Sequence, residues 1–155
     1  MKLSENAKAL GIRQDMLDTA LVSAGNAARI AAVMKKAQSG QRITIGVIGG
    51  SVTHGASASV KEKSYAGILR KWWENTFPMS TVSYINAGYS GTSSLLGVHR
   101  VNEFLLDYNP DFVLVEFAVN DIIQDFQAEG YASLIHKILT ADCAPAVDAD
   151  DTALT

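Results

Sequence analysis

Residues 43–51 have the sequence Ile-Thr-Ile-Gly-Val-Ile-Gly-Gly-Ser, a nearly continuous apolar run that ends at a pair of glycines. An apolar run of this length, without alternating polar residues, is typical of a strand buried on both faces of a parallel sheet. The pair Gly49-Gly50 allows a sharp turn and a close approach of the backbone to a ligand. Ser51 is therefore predicted to lie at the carboxyl end of a buried strand, where α/β sheets bind their ligands.

The sequence on both sides of this run alternates between helical and extended patterns. Apolar residues at helical spacing predict helices in the first forty residues and over 65–73, 95–108 and 131–139, and short apolar runs predict strands over 82–85 and 111–119. This alternation predicts an α/β fold in which a parallel sheet, with strand order 2-1-3, lies between two layers of helices.

Three segments divide the chain: an N-terminal helical arm at 1–40, an α/β domain at 41–147 and a polar tail at 148–155. The tail is acidic where the alternation requires a fourth apolar strand, so the domain is expected to be C-terminally incomplete. Strand three would then lie at an open edge of the sheet, where a second copy of the chain can pair with it. A homo-oligomer through this open edge is the expected assembly.

The composition is that of one globular domain, because 155 residues with 48% hydrophobic and 19% charged residues exclude a disordered chain. A formal net charge of -3 argues against nucleic acid and membrane partners. The single cysteine, Cys143, cannot form an internal disulfide and has no Cys or His at metal-ligand spacing, so no metal site is expected. The first twenty residues contain no uninterrupted apolar segment, which predicts neither a signal peptide nor a transmembrane helix and a cytoplasmic location.

Three short segments follow the predicted strands, at 49–55, 86–92 and 118–121. Parallel strands bring their carboxyl ends to one edge of the sheet, so these segments are expected to meet. Ser51 is placed as a nucleophile, and Gly91 and Asn120 can supply donors for a developing oxyanion. Each motif alone is more typical of a turn or a helix cap, and only their joint occurrence favours catalysis. A phosphate-binding loop is disfavoured because Ala56 stands where that loop requires lysine.

These segments resemble the sequence blocks of the SGNH (GDSL-type) hydrolases over residues 43–139. Gly49-Gly50-Ser51-Val52 is similar to the block with the nucleophilic serine, and Asn86–Gly91 to the block whose last glycine donates to the oxyanion hole. Asn120 matches the asparagine that supplies the other oxyanion donor. The resemblance implies a flavodoxin-like three-layer α/β/α sandwich and ester hydrolysis through an acyl-serine, with no cofactor. The lead-in at 25–40 is most similar to the branch with carbohydrate deacetylases, which implies a small acyl ester, acetyl above all, of a carbohydrate.

Two features depart from the family pattern. Gly50 stands where the first block commonly has aspartate, and the C-terminal Asp-x-x-His segment that supplies the base is absent from these residues. The chain is therefore expected to be truncated before that segment and to be weakly active or inactive. His54 is the candidate substitute base, although sharing the turn of Ser51 limits its approach to the hydroxyl. His99 and His136 lie on predicted helices and are interpreted as boundary residues.

The remaining predictions concern residues around the nucleophile. Gly50, Thr53 and Tyr89 are the expected binding residues. Glu116 is a carboxylate inside an apolar strand and is expected to support the loop of Ser51 and Thr53 through hydrogen bonds. The alternative function, for a chain without its base, is a non-catalytic remnant or a carbohydrate-binding module of the same fold.

Overall fold

A computed structural model of the protein describes residues 5–20, 23, 25–124 and 127–149. In chain order the helices and strands are α1 (Glu5–Ala9), α2 (Gln14–Ala20), α3 (Ala28–Gln38), β1 (Ile43–Gly49), α4 (Ser51–His54), α5 (Tyr65–Thr76), β2 (Val82–Gly88), α6 (Ser94–Phe104), β3 (Phe112–Glu116), α7 (Ala118–Ile123), α8 (Ala128–Leu139) and β4 (Ala146–Ala149). None of the helices within these ranges is long and apolar enough to cross a bilayer.

The four strands form one parallel sheet in the order β2-β1-β3-β4. The last residue of β1, Gly49, is in register with Gly88 of β2 and Glu116 of β3. The three strand ends therefore lie side by side, and the segments that follow them come to one edge of the sheet. The α/β class and the order 2-1-3 of the first three strands are confirmed.

Helices cover both faces of the sheet, because alternate residues of each strand point to opposite sides. Val113 and Val115 of β3 belong to the core cluster formed with α6 and α8. Phe112 and Leu114 pack instead in the cluster formed with α3 and α5. The second cluster contains Trp73, which is 1% exposed and whose ring centre lies 5.8 Å from that of Phe112. The result is the three-layer sandwich that the resemblance implies.

The N-terminal arm consists of three separate helices. Gly11 and Gly25 have positive φ angles of 77° and 51°, a conformation that interrupts a helix. Val33 and Ala37 of α3 are buried in the core, so the third helix forms part of one layer of the sandwich. Residues 1–4, 21–22 and 24 of the predicted arm lie outside the described residues.

β4 is a fourth strand that the sequence pattern does not predict. It pairs in parallel with β3, with Ala146 opposite Phe112. The expectation that β3 forms an open edge is therefore wrong, because β4 occupies the position where a second copy was expected to pair. Two apolar residues suffice to continue the sheet, since Ala146 is buried and Val147 packs against the core. Of the predicted polar tail, residues 148–149 belong to β4 and 150–155 lie outside the described residues.

Asp148 provides a pH-dependent test of this strand. It lies opposite Leu114 in the sheet, and desolvation of its carboxyl beside the neighbouring strand raises the pKa of this otherwise exposed residue. The charged form therefore costs stability at neutral pH, and this cost disappears once the pH falls below about 3.9, the ordinary value of the unfolded chain. Asp148→Asn is expected to raise the free energy of unfolding at pH 7 by roughly 0.5 kcal/mol, after allowance for solvent screening. Urea denaturation should show the gain at neutral pH and none at pH ~3. Asp107→Asn, at another exposed position, is the control. An equal gain from Asp148→Asn at both pH values would contradict the desolvation of the Asp148 carboxyl.

Candidate active site

Ser51 lies at the start of a four-residue helix that follows β1 directly. Gly50 links the strand to the helix with φ -84° and ψ -149°, and Gly55 ends the helix with φ 96°. The Ser51 side chain is partly buried. Within the described residues no acceptor binds the Ser51 N–H, as is usual for the first N–H groups of a helix. A hydroxyl and an available backbone donor therefore belong to the same residue.

The side chain of Asn120 packs against the backbone that leads to Ser51. A Cβ atom on Gly50 would lie 2.8 Å from Asn120 Nδ2, so only glycine leaves room for the amide here. Serine and amide share one narrow crevice, lined by Gly50, Ser51, Val52, Glu116, Phe117, Val119 and Asn120.

Asn120 lies in the first turn of a helix and not in the turn after a long strand. The strand predicted over 111–119 ends at Glu116, because the backbone at Phe117 leaves the extended region with ψ 4°. α7 then begins at Ala118, so the predicted end of this strand is wrong. The change of direction buries the Asn120 side chain, of which 9% is exposed.

α7 holds the loop that precedes α6. Asn120 Nδ2 donates to the Thr92 carbonyl oxygen at 2.7 Å, and Gln124 Nε2 donates to the Gly91 carbonyl oxygen at 3.0 Å. The first bond uses one of the two Asn120 amide hydrogens and leaves the other for a ligand. Gly91 has φ 75°, and no acceptor in the described part of the chain binds its N–H. Available donors at Ser51, Gly91 and Asn120 thus lie on segments that contact one another.

Thr53 and Glu116 form a polar group beneath the serine helix. Thr53 is fully buried, and its Oγ1 lies 2.6 Å from the Tyr65 hydroxyl. The same Oγ1 donates to Glu116 Oε2 at 3.3 Å. Thr53 therefore contacts protein groups, and the structure does not bring its side chain into the crevice. Glu116 lines the crevice and bonds the helix that carries Ser51, the position predicted for it.

The family model for GDSL-like lipases and acylhydrolases matches residues 47–150, about two thirds of the chain. The chain belongs to this family. The resemblance found in the three sequence blocks is thereby confirmed, and the blocks are those that the sheet brings together.

Relatives of this GDSL-like chain include esterases and a lysophospholipase. A two-domain esterase active on acetylated mannans is 39% identical with a TM-score of 0.82, over 85% of this chain and 36% of that one. The same esterase crystallised with mannopentaose is 41% identical with a TM-score of 0.78, over 81% of this chain and 34% of that one. Thioesterase 1/protease 1/lysophospholipase L1 of Escherichia coli K12 is 30% identical over 96 residues, which are 62% of this chain and 43% of that protein. The chain thus spans less than half the length of these relatives.

The candidate substitute base of this GDSL-like chain faces away from the nucleophile. His54 Nδ1 lies 3.1 Å from the Gly88 carbonyl oxygen, and no bond joins His54 to Ser51 in the described residues. His54 lines a separate cavity of about 470 Å³ between α5 and β2. His99 and His136 are exposed on α6 and α8. No group of three or more His, Cys, Asp or Glu within the described ranges is placed to hold a metal ion.

The other predicted binding residue, Tyr89, lies at the rim of the site. Its side chain is 66% exposed, and its N–H donates to the Gly49 carbonyl oxygen at 3.0 Å. This bond connects the loop before α6 to the end of β1. The exposed ring is available to a ligand above the crevice.

Arg100 contacts the site and was missed by sequence reasoning. Its guanidinium donates to the carbonyl oxygens of Ala87 and Gly49, at the ends of β2 and β1. A signal was present, because Arg100 lies three residues after Gly97 and one before Val101, both on the buried face of α6. An arginine on the buried face of an amphipathic helix needs buried acceptors.

Proposed function

We propose that this chain provides the nucleophile and the oxyanion-binding groups of a serine esterase that hydrolyses small acyl esters, acetyl above all, of a carbohydrate. The observation that carries the proposal is the grouping of the Ser51 hydroxyl with donors from Gly91 and Asn120 at the carboxyl end of a parallel sheet. Fixed donors of this kind stabilise the negative charge that develops on an ester oxygen under nucleophilic attack.

In the proposed reaction Ser51 Oγ attacks the carbonyl carbon of the ester. The oxyanion that forms accepts hydrogen bonds from the Ser51 N–H, the Gly91 N–H and the Asn120 amide. The bond to the alcohol then breaks, the alcohol leaves with a proton, and water hydrolyses the acyl-serine. Since no histidine of the described residues bonds Ser51, the serine proton passes to solvent, from which the leaving alcohol takes a proton, and the rate proposed for the described residues by themselves is low.

The carbohydrate substrate is supported by the similarity to the two-domain esterase that is active on acetylated mannans. The missing contact between Ser51 and a histidine favours one second candidate, a domain that binds the same carbohydrate without turning it over.

Acetate release separates the two functions. The purified chain is incubated with acetylated manno-oligosaccharides and, separately, with 4-nitrophenyl acetate, beside its Ser51→Ala variant. Release above that of the variant supports the esterase. Saturable binding of the oligosaccharide at equal, background release would instead support the binding domain, and neither binding nor release would contradict both.

Replacement of Asn120 by aspartate tests the oxyanion donor. The side chain keeps its shape but loses both amide hydrogens, so the Ser51-dependent rate is expected to fall about a hundredfold. Asn102→Asp is the matched control, because it makes the same chemical change at an exposed position on α6. Its rate should stay within about threefold of wild type. A wild-type rate in Asn120→Asp, measured with 4-nitrophenyl acetate, would exclude the amide as an oxyanion donor.

A further inference from the structure

The guanidinium of Arg100 lies beneath the loops that carry the proposed catalytic groups. Arg100 is partly buried on α6. Its Nη1 donates to the Ala87 carbonyl oxygen, and its Nη2 donates to the Gly49 carbonyl oxygen at 2.8 Å and to Thr92 Oγ1 at 3.3 Å. Thr92 Oγ1 donates onward to the Tyr89 carbonyl oxygen at 2.8 Å. One side chain thus joins the ends of β1 and β2 to the loop before α6.

This cation has no carboxylate partner in the described part of the chain. Within the described residues its Nε is buried without an acceptor. The guanidinium lies 6.0 Å from the centre of the Phe117 ring, and burial lowers its pKa. A partly buried charge that is balanced only by carbonyl dipoles costs stability. An apolar side chain would avoid that cost, so stability alone gives no reason for an arginine here.

The contacts of Arg100 coincide with the segments that carry the oxyanion donors. Gly49 is two residues before Ser51, and Thr92 is the residue after Gly91. The Thr92 carbonyl oxygen is also the acceptor that holds Asn120 Nδ2, at 2.7 Å. Arg100 therefore bonds directly to the segments of two proposed donors and, through Thr92, to the anchor of the third.

We propose that Arg100 is a positioning residue of the oxyanion-binding site, which fixes the Ser51 and Gly91 N–H groups relative to each other. The inference rests on the proposed function, because it assigns these N–H groups to an oxyanion. Lysine cannot replace the arginine fully, since one ammonium does not present the planar fork that reaches two carbonyls and a hydroxyl together. Arg100 itself touches no reacting atom in this scheme.

The test measures how fast Ser51 reacts with diethyl 4-nitrophenyl phosphate. In this reaction the Ser51 Oγ–P bond forms, the bond from phosphorus to the nitrophenolate oxygen breaks, and the serine proton passes to the buffer. The developing phosphoryl oxyanion needs the same donors as an ester, whereas no later hydrolysis step is required. Nitrophenolate release gives the rate constant, and intact mass with peptide mapping identifies Ser51 as the modified residue.

Arg29 offers a matched control at the opposite end of the sheet. Its Nη1 also donates hydrogen bonds to carbonyl oxygens of two segments, those of Leu139 at 3.0 Å and Pro145 at 3.1 Å. Replacement of either arginine by methionine removes a guanidinium that is hydrogen-bonded to two backbone segments. Both variants therefore show the effect of losing such hydrogen bonds. Only Arg100 lies beside the proposed donors.

Arg100→Met is expected to slow phosphorylation of Ser51 by at least about tenfold per folded molecule. The Ser51 and Gly91 N–H groups remain in this variant, but they are displaced from the oxyanion. Arg100→Lys should recover part of this loss, and Arg29→Met should stay within twofold of wild type. These three results together support the proposal. Equal rates for Arg100→Met and Arg29→Met, with both proteins folded by circular dichroism, would overturn it.

A failure of the proposed function gives a different result. The wild type would then react no faster than Ser51→Ala, and backbone amide exchange measured by NMR decides the role of Arg100. Exchange at residues 49–51 and 89–92 that is at least tenfold faster in Arg100→Met, but not in Arg29→Met, would support positioning of these segments. Unchanged exchange there would overturn the positioning role irrespective of activity.

Discussion

Ser51→Ala is expected to abolish the part of the 4-nitrophenyl acetate hydrolysis that passes through an acyl-serine, because alanine has no hydroxyl to acylate. The rate of the variant is not expected to fall to that of the buffer, because serine proteases that lack one member of the catalytic machinery keep about 10³-fold catalysis over water through the oxyanion hole and substrate binding, which alanine leaves in place. The described residues place no histidine against Ser51. The rate enhancement expected of the described residues therefore comes from the Ser51 hydroxyl and from the oxyanion donors, and alanine removes only the hydroxyl.

The matched control for this experiment is Ser133→Ala, an exposed serine on α8. Both variants remove one hydroxyl, so nonspecific acetylation of serine side chains affects them equally. The rates are compared for protein that circular dichroism shows to be folded. A Ser51→Ala protein as fast as Ser133→Ala would contradict the assignment of the nucleophile and leave the carbohydrate-binding alternative.

The arrangement of the site was predictable where it follows from general geometry of parallel sheets. A buried apolar run before Gly49-Gly50 identifies β1, and parallel pairing then aligns its end with those of β2 and β3. The meeting of the segments that carry Ser51, Gly91 and Asn120 follows from that alignment, without knowledge of any side-chain contact. Periodicity is sufficient for β1 and β2 because Gly49-Gly50 and Gly88 mark their ends.

Prediction from the local sequence pattern failed where no glycine or proline marks the end of a strand. β3 passes into α7 through Phe117 without a glycine or proline, so the apolar run up to Val119 appears as one strand. β4 has only four residues, one of them Asp148, and it forms because β3 offers an unpaired edge. Its stability is a property of the sheet and not of its own sequence.

The hydrogen bonds of Arg100 were not predictable from spacing because their acceptors are backbone carbonyl groups. Carbonyl oxygens occur at every residue, so nothing in the sequence marks those of Gly49 and Ala87 as the acceptors of a distant side chain. The sequence offers one signal, which is a charged residue, Arg100, next to the buried positions Gly97 and Val101 of α6.

Replacement of Gly49 by alanine is expected to lower the free energy of unfolding by about 3–5 kcal/mol. A Cβ atom at this position would lie 2.0 Å from Thr53 Oγ1 and 2.2 Å from the Glu116 carbonyl oxygen. Neither neighbour can move cheaply, since Thr53 is fully buried and the carbonyl belongs to the adjacent strand. Domains of this size have only about 5–15 kcal/mol in total, so the variant should be marginally folded.

Urea denaturation followed by circular dichroism measures this loss, with Gly130→Ala as the control. A Cβ atom on Gly130 would lie 3.3 Å from the flexible end of Leu95, and alanine inside α8 favours the helix by about 0.5–1 kcal/mol. That variant should therefore unfold within about 1 kcal/mol of wild type. Near-equal unfolding of Gly49→Ala and wild type would mean that α4 does not pack against the end of β1 as described. The position of Ser51 depends on that packing, so the catalytic proposal would lose its geometric basis as well.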